Sequence, residues 1–254
     1  FDVHKVTPTG CKTWPMTTAN NVMLITGGSR GIGAATALLA AQNGWDLAIS
    51  YHAKRDAAEA VVSRCREFGV QAFAQQCEVA DEGSVLELFA QCDRTLGTLG
   101  CLVNNAGILF PVARLEDMDV DRVRRVTEVN TIGAFLCARE AVRRMATDRG
   151  GHGGSIVNVS SAASYLGSPN EFVDYAMSKG AVDTMTIGLA KEVADRGIRV
   201  NGVRPGLIDT DIHADAGVSD RVERLKANVP MGRGGHPDEV AALILYLAGD
   251  GASY

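Results

Sequence analysis

Val22-Met23-Leu24-Ile25-Thr26-Gly27-Gly28-Ser29-Arg30-Gly31-Ile32-Gly33 is the stretch that decides the fold. Its first residues are a short apolar run of the kind that forms a buried strand, and the alanine-rich Ala34 to Ala41 that follows reads as a helix. Between them, glycines allow a sharp strand-to-helix turn without a Cβ clash. The free N–H groups and positive dipole end of the new helix suit an anion, and the glycines let a pyrophosphate approach the main chain. Strand, turn and helix in this order carry that reading further than glycine spacing alone.

The same alternation continues along the chain. β-Prone runs near 22-26, 46-51, 70-76, 100-104, 155-160 and 198-203 alternate with helical periodicity near 31-43, 56-68, 82-95, 117-147, 173-195 and 237-248. This pattern predicts an α/β fold, a single Rossmann-like doubly wound parallel sheet with helices on both faces. Gly44 and Gly69 stand where helix C-terminal caps belong. The 117-147 stretch is long for one helix, and Gly133 is the expected junction. Gly150, Gly151, Gly153 and Gly154 precede a strand, so they read as a flexible turn, since a phosphate cradle must precede a helix. The segment 206-235 is polar and broken by Gly and Pro, as lids and binding loops are. No linker, repeat or low-complexity tract divides the chain, so one domain is expected over 16-254, after a tail or leader at 1-15.

Composition removes several alternatives. Among 254 residues, 46% are hydrophobic and 22% charged, which permits a large core. The formal charge of −5 argues against a nucleic-acid backbone as partner. The apolar run Val240 to Ala248 falls well short of the ~20 residues that a membrane span needs, so no membrane partner is expected. Cys11, Cys65, Cys77, Cys92, Cys101 and Cys137 include no C-x-x-C pair and no histidine at ligand spacing, so neither metal site nor disulfide framework is expected. Reduced thiols of this kind suit a cytoplasmic protein.

The spacing Thr26-Gly27-x-x-x-Gly31-x-Gly33 departs from G-x-G-x-x-G and resembles the short-chain dehydrogenase/reductase family. Three further blocks match that family in order: Asn104-Asn105-Ala106-Gly107, Tyr175-Ala176-Met177-Ser178-Lys179, and Pro205-Gly206-Leu207-Ile208-Asp209-Thr210. The match runs from about Val22 to the C-terminus, and the chain is similar to the 3-oxoacyl carrier-protein reductase and glucose dehydrogenase type. The resemblance implies hydride transfer between a nicotinamide and a small carbonyl or secondary alcohol, in a homo-oligomer, dimer or tetramer. It maps the catalytic set onto Asn130, Ser161, Tyr175 and Lys179.

Each of these has a chemical task. Hydride arriving at a carbonyl carbon leaves negative charge on oxygen, and Tyr175 is expected to supply the proton. A neighbouring ammonium and an oxidised nicotinamide would lower its pKa; Lys179, four residues on, shares its helix face. Ser161 would hold the carbonyl oxygen, and Lys179 would also hold the nicotinamide ribose. Asn130 would keep a water in a proton relay.

For the cofactor, the resemblance implicates the turn residues Gly27, Ser29, Arg30, Gly31, Ile32 and Gly33. It adds Tyr51 and Lys54 after the second strand, Glu78 and Val79 after the third, and Asn105, Ala106 and Gly107 after the fourth. Tyr175 and Lys179 recur in this set, joined by Pro205, Gly206, Ile208 and Thr210 of the Pro-Gly loop. Glu78 stands where relatives carry Asp, as a carboxylate for the adenine amino group. Charge selects NADP(H) over NAD(H): the second strand ends Ser50-Tyr51-His52 with no acid before Asp56, while Arg30, Lys54 and Arg55 offer cations for a 2′-phosphate.

Two departures temper the resemblance. Ser161 and Tyr175 are fourteen apart, one more than in many relatives, which alters the pocket wall. The chain also stops at Ala252-Ser253-Tyr254, so the sheet is expected to lack its last strand. Leu109, Phe110, Leu166, Phe172, Leu207 and Ile212 are candidate pocket residues, with Asp211 and His213 as polar candidates, and each also suits ordinary packing or surface. Arg122, Arg124, Arg125, Arg143 and Arg144 read equally as a solvated face or a subunit contact. A carbonyl reductase or alcohol dehydrogenase therefore competes with a dinucleotide-binding sensor or scaffold without turnover.

Overall fold

The computed structural model describes residues 21–253, apart from the side chains at 213 and 215, so the tail at 1-15, Cys11 and the His213 side chain lie outside the described residues. Six parallel strands, β1 (Val22–Ile25), β2 (Asp46–Tyr51), β3 (Ala72–Gln76), β4 (Leu99–Asn104), β5 (Gly154–Val159) and β6 (Ile198–Val203), form one sheet. Their order is β3-β2-β1-β4-β5-β6. β1 is buried along its length because its side chains meet helices on both faces, which is why its sequence is continuously apolar. Leu24 pairs with Ala48 of β2 on one side and Leu102 of β4 on the other. The strand order reverses between these two neighbours, and the crevice at the carboxyl end of β1 opens there.

The helices are α1 (Gly31–Gln42), α2 (Arg55–Arg66), α3 (Glu82–Leu96), α4 (Val120–Thr127), α5 (Ala134–Met145), α6 (Ala163–Leu166), α7 (Val173–Val193), α8 (Ile212–Asp215), α9 (Arg221–Leu225) and α10 (Pro237–Ala248). Two apolar layers sandwich the sheet. On one face Ala37, Ala40 and Ala41 of α1 pack with Ile244 and Ala248 of α10. The small α1 side chains let these helices approach closely. On the other, Leu88 and Phe89 of α3 meet Leu136, Cys137 and Ala141 of α5.

The expected 117-147 helix is divided. A 3-10 turn at Leu115–Asp117 leads into α4, and a π-helical turn at Glu128–Gly133 joins α4 to α5. That turn ends at Gly133, where a Cβ would lie 2.8 Å from Val79 Cγ2. Such widened turns recur at functional sites. The third strand starts two residues later than the 70-76 run suggests, and α6 was not legible within 161-172. The 206-235 segment crosses the carboxyl end of the sheet with only short helices.

Candidate active site

Two loops are stitched together where β1 ends. The Thr26 hydroxyl accepts from the Asn105 and Ala106 N–H groups, both at 3.0 Å. The Asn105 amide donates back to the Thr26 and Gly27 carbonyls, each at 2.9 Å. Gly28 N donates to Ser50 O at 2.8 Å, which fixes the turn to β2. Gly27 adopts a φ of +66°, and a Cβ on Gly33 would collide with the Gly27 carbonyl. The turn is thus folded on itself, and only glycine fits at its contact with α1. Arg30 precedes α1 without a side-chain capping bond, and the first turn of the helix contains no acid. That cradle and that uncompensated helix start fit a dinucleotide phosphate.

A cleft of about 740 Å³ runs from this turn across the carboxyl ends of the strands. Gly27, Ser29, Arg30, Gly31, Ile32, Tyr51, Lys54, Glu78, Val79, Asn105, Ala106, Gly107, Pro205, Gly206, Ile208 and Thr210 all line it, as do Ser161, Tyr175 and Lys179. Gly33 supports the turn from behind. Asn130 is buried beneath Gly107 in the π-helical turn, where it bonds both polar groups of Ile108, at 2.8 and 3.0 Å, and the Ser178 hydroxyl at 3.1 Å. Its side chain therefore braces the loop after β4, while the Asn104 amide supports the strand end through Ala134 O and Asn158 Oδ1.

Ser161 follows β5, its hydroxyl accepts from Ala163 N at 3.1 Å, and it lines the cleft together with Tyr175. Lys179 Nζ lies 5.6 Å from the centroid of the Tyr175 ring and donates to Val159 O at 2.8 Å. Burial pushes the Tyr175 phenol up, with the Ser161 hydroxyl opposing. Burial lowers Lys179 from 10.5 to about 8, with Asp183 opposing. The expected lowering of Tyr175 by its neighbour is thus not achieved by these protein groups alone, because desolvation outweighs it.

Other placements refine the reading. Burial pushes the Glu78 carboxyl up, but bonds from Arg125 and the Ala80 N–H, with the charges of Arg125 and His52, hold it below the usual carboxylate range. Its Oε1 accepts from the Ala80 N–H and its Oε2 meets Arg125, and the residue lines the cleft. The basic stretch is a set of internal pairs. Arg124 meets Asp121, Arg125 meets Glu78, and Arg143 and Arg144 converge on the buried Glu140.

Arg122 makes the connection that residue spacing did not disclose. Its Nε and Nη2 donate to the two Asp174 oxygens at 2.7 and 3.2 Å, with the Arg and Asp side chains only 10% and 2% exposed. Asp174 immediately precedes Tyr175, so a bidentate pair fixes the start of α7 to α4. Of the candidate pocket residues, Leu109, Leu166, Phe172, Leu207, Asp211 and Ile212 line the cleft; Phe110 lies instead against Arg122. Tyr165, Arg221, Leu225 and Val229 join them without having been singled out in the sequence.

Comparison with known proteins accords with this geometry. The family described as Enoyl-(Acyl carrier protein) reductase matches residues 27–254. Uncharacterized oxidoreductase YgfF of Escherichia coli (strain K12) is 53% identical over 233 residues, 92% of this chain and 94% of that protein. L-rhamnose 1-dehydrogenase (NAD(P)(+)) of Sphingomonas sp. (strain SKA58) is 37% identical over 233 residues, covering 91% of this chain and 90% of that one. A crystal structure of a short-chain type dehydrogenase/reductase from Mycobacterium marinum superposes with a TM-score of 0.86 at 34% identity, covering 93% of this chain and 91% of the other. A glycine turn against α1, a cleft at the sheet reversal and these relatives together make the chain an oxidoreductase of the short-chain dehydrogenase/reductase family, which uses a nicotinamide cofactor on CH–OH and C=O groups.

Proposed function

We propose that the protein is an NADP(H)-dependent carbonyl reductase or alcohol dehydrogenase in which Tyr175 is the general acid/base. The supporting observation is that Ser161, Tyr175 and Lys179 meet in the cleft that the glycine turn opens into, with Lys179 Nζ over the Tyr175 ring. When bound, the reduced nicotinamide supplies the hydride. Ser161 donates a hydrogen bond to the substrate oxygen and stabilises its developing charge. Tyr175 Oη gives that oxygen its proton, and in the oxidative direction takes it back. The raised phenol pKa keeps Tyr175 protonated for reduction near neutrality. Lys179 orients the phenol and contacts the nicotinamide ribose, while Asn130 holds the loop after β4 and a water in the proton relay.

NADP(H) is favoured over NAD(H) because Arg30 of the glycine turn and Lys54 after β2 both line the cleft, and no acid follows Asp46 in the chain before Asp56. Charge-assisted bonds to a 2′-phosphate should make NADPH bind at least about tenfold more tightly than NADH. Calorimetric titration of both checks this, and equal affinities would contradict it. We read the protein as a cytoplasmic homo-oligomer: Cys65, Cys77, Cys92, Cys101 and Cys137 are free thiols, and Ile132, Phe135, Met177 and Ile187 are exposed apolar side chains suited to a subunit contact.

A further inference from the structure

Beyond Ser161 and Tyr175 the cleft is lined by Leu109, Leu166, Phe172, Ile212, Leu225 and Val229. Arg221 enters the same lining, with its guanidinium carbon 4.9 Å from the Phe172 ring centroid. That charge is already matched. Arg221 Nη1 lies 2.6 Å from Glu171 Oε2, an ion pair without hydrogen-bond geometry at that nitrogen, and the Arg and Glu side chains are 13% and 23% exposed. The Glu171 carbonyl accepts from Ala113 N at 3.1 Å, which holds the acid between the loop after β4 and α9. Arg224 reaches the other carboxylate oxygen only at 3.8 Å, is about half exposed and is not among the cleft-lining residues. The acid Asp211 also lines the cleft. An anionic substrate would meet an apolar wall, a cation already paired and a carboxylate. Along this wall, its charge would have to compete with Glu171 for Arg221 to offset the cost of desolvation.

We infer that this site takes neutral carbonyl compounds with apolar aliphatic or aromatic substituents, or the corresponding alcohols, and that Glu171 sets the preference by neutralising Arg221. The inference rests on the reductase reading given above and specifies its substrate class. Three aryl ketones test it: acetophenone, methyl 4-acetylbenzoate and 4-acetylbenzoate, which separate size from charge. With NADPH, kcat/KM for the two neutral ketones should be similar, and the carboxylate should be worse than its ester by at least about tenfold. In Glu171→Gln, the unmasked Arg221 should narrow that ratio by about tenfold, through KM. Glu171→Asp, which keeps the charge, should retain the wild-type ratio.

Equal or better use of the carboxylate by the wild-type protein overturns the substrate class, and this comparison stands even if the variants fold poorly. A ratio unchanged in folded Glu171→Gln overturns the role of Glu171. Calorimetry of the same ketones with NADP⁺-saturated protein, where no reduction can occur, separates the two levels of the argument. Preferential binding of the neutral pair without turnover with NADPH sustains the class and refutes the reductase reading. Turnover in which the carboxylate is preferred does the reverse, and failure of the neutral pair to bind overturns the class.

Discussion

The two ends of the cleft are built from different materials. At the carboxyl end of β1 the site is mostly main chain, with Gly27, Gly28 and Gly33 packed against carbonyls and neighbouring strands, and Thr26 and Asn105 serving as stitching. At the carboxyl end of β5 it consists of side chains, Ser161, Tyr175 and Lys179, and burial displaces the acidities of Tyr175 and Lys179. A binding surface made of backbone tolerates no added volume, whereas a proton-transfer site made of side chains depends on particular atoms and their charge states. Damage to the two should therefore look different.

Gly33→Val should give the largest loss on the backbone side. Its side chain would run into the Gly27 carbonyl, and overpacking of this kind costs about 1–3 kcal/mol or more, spent at the turn itself. NADPH titration should show affinity reduced by over about tenfold, with the pH dependence of any residual turnover unchanged. A normal dissociation constant would mean the turn does not cradle the cofactor.

On the other side, Asp174→Asn should cost about 3–5 kcal/mol in stability, because it strands the buried Arg122 guanidinium. Chemical denaturation measures that loss. If the pair also positions Tyr175, turnover of the folded fraction should fall in kcat rather than in the NADPH KM. A fall confined to KM would make the ion pair a support for the cofactor end instead.

The smallest expected effect is a pH limb. Folded Lys179 titrates at about 8 against 10.5 ordinarily, so between those values the unfolded chain holds a proton that the folded chain has released. This group therefore makes stability rise with pH across that window and disfavours folding below it. The same titration removes the ammonium beside Tyr175 above about pH 8, so kcat/KM for NADPH, which reports the free protein, should decline there. Lys179→Arg should move the limb upward, and an unshifted limb would assign it to another group.

Much of the binding end was legible in the sequence because its constraints are local. The turn needs glycines within a few residues of β1, and Asn105-Ala106-Gly107 must follow β4 directly to meet them. The Gly133 junction was visible for a similar reason, although the close approach of Val79 to it was not. Charge pairing was far less legible. Arg122 and Asp174 are separated by 52 positions, and Arg125 and Glu78 by 47, so only the packing of α4 against its neighbours reveals which acid each base meets. The sequence identified Tyr175 and Lys179 as face-sharing residues but not that Lys179 turns its ammonium onto Val159 O, nor that burial raises the phenol. Those are consequences of the tertiary environment.

The central claim is that the Tyr175 hydroxyl carries the proton. Tyr175→Phe removes that one oxygen while leaving the ring, and NADPH binding measured by titration should stay within about twofold of wild type while kcat for a reducible ketone falls by about 10²–10⁴. Wild-type turnover by the variant, with intact NADPH binding, would contradict the account.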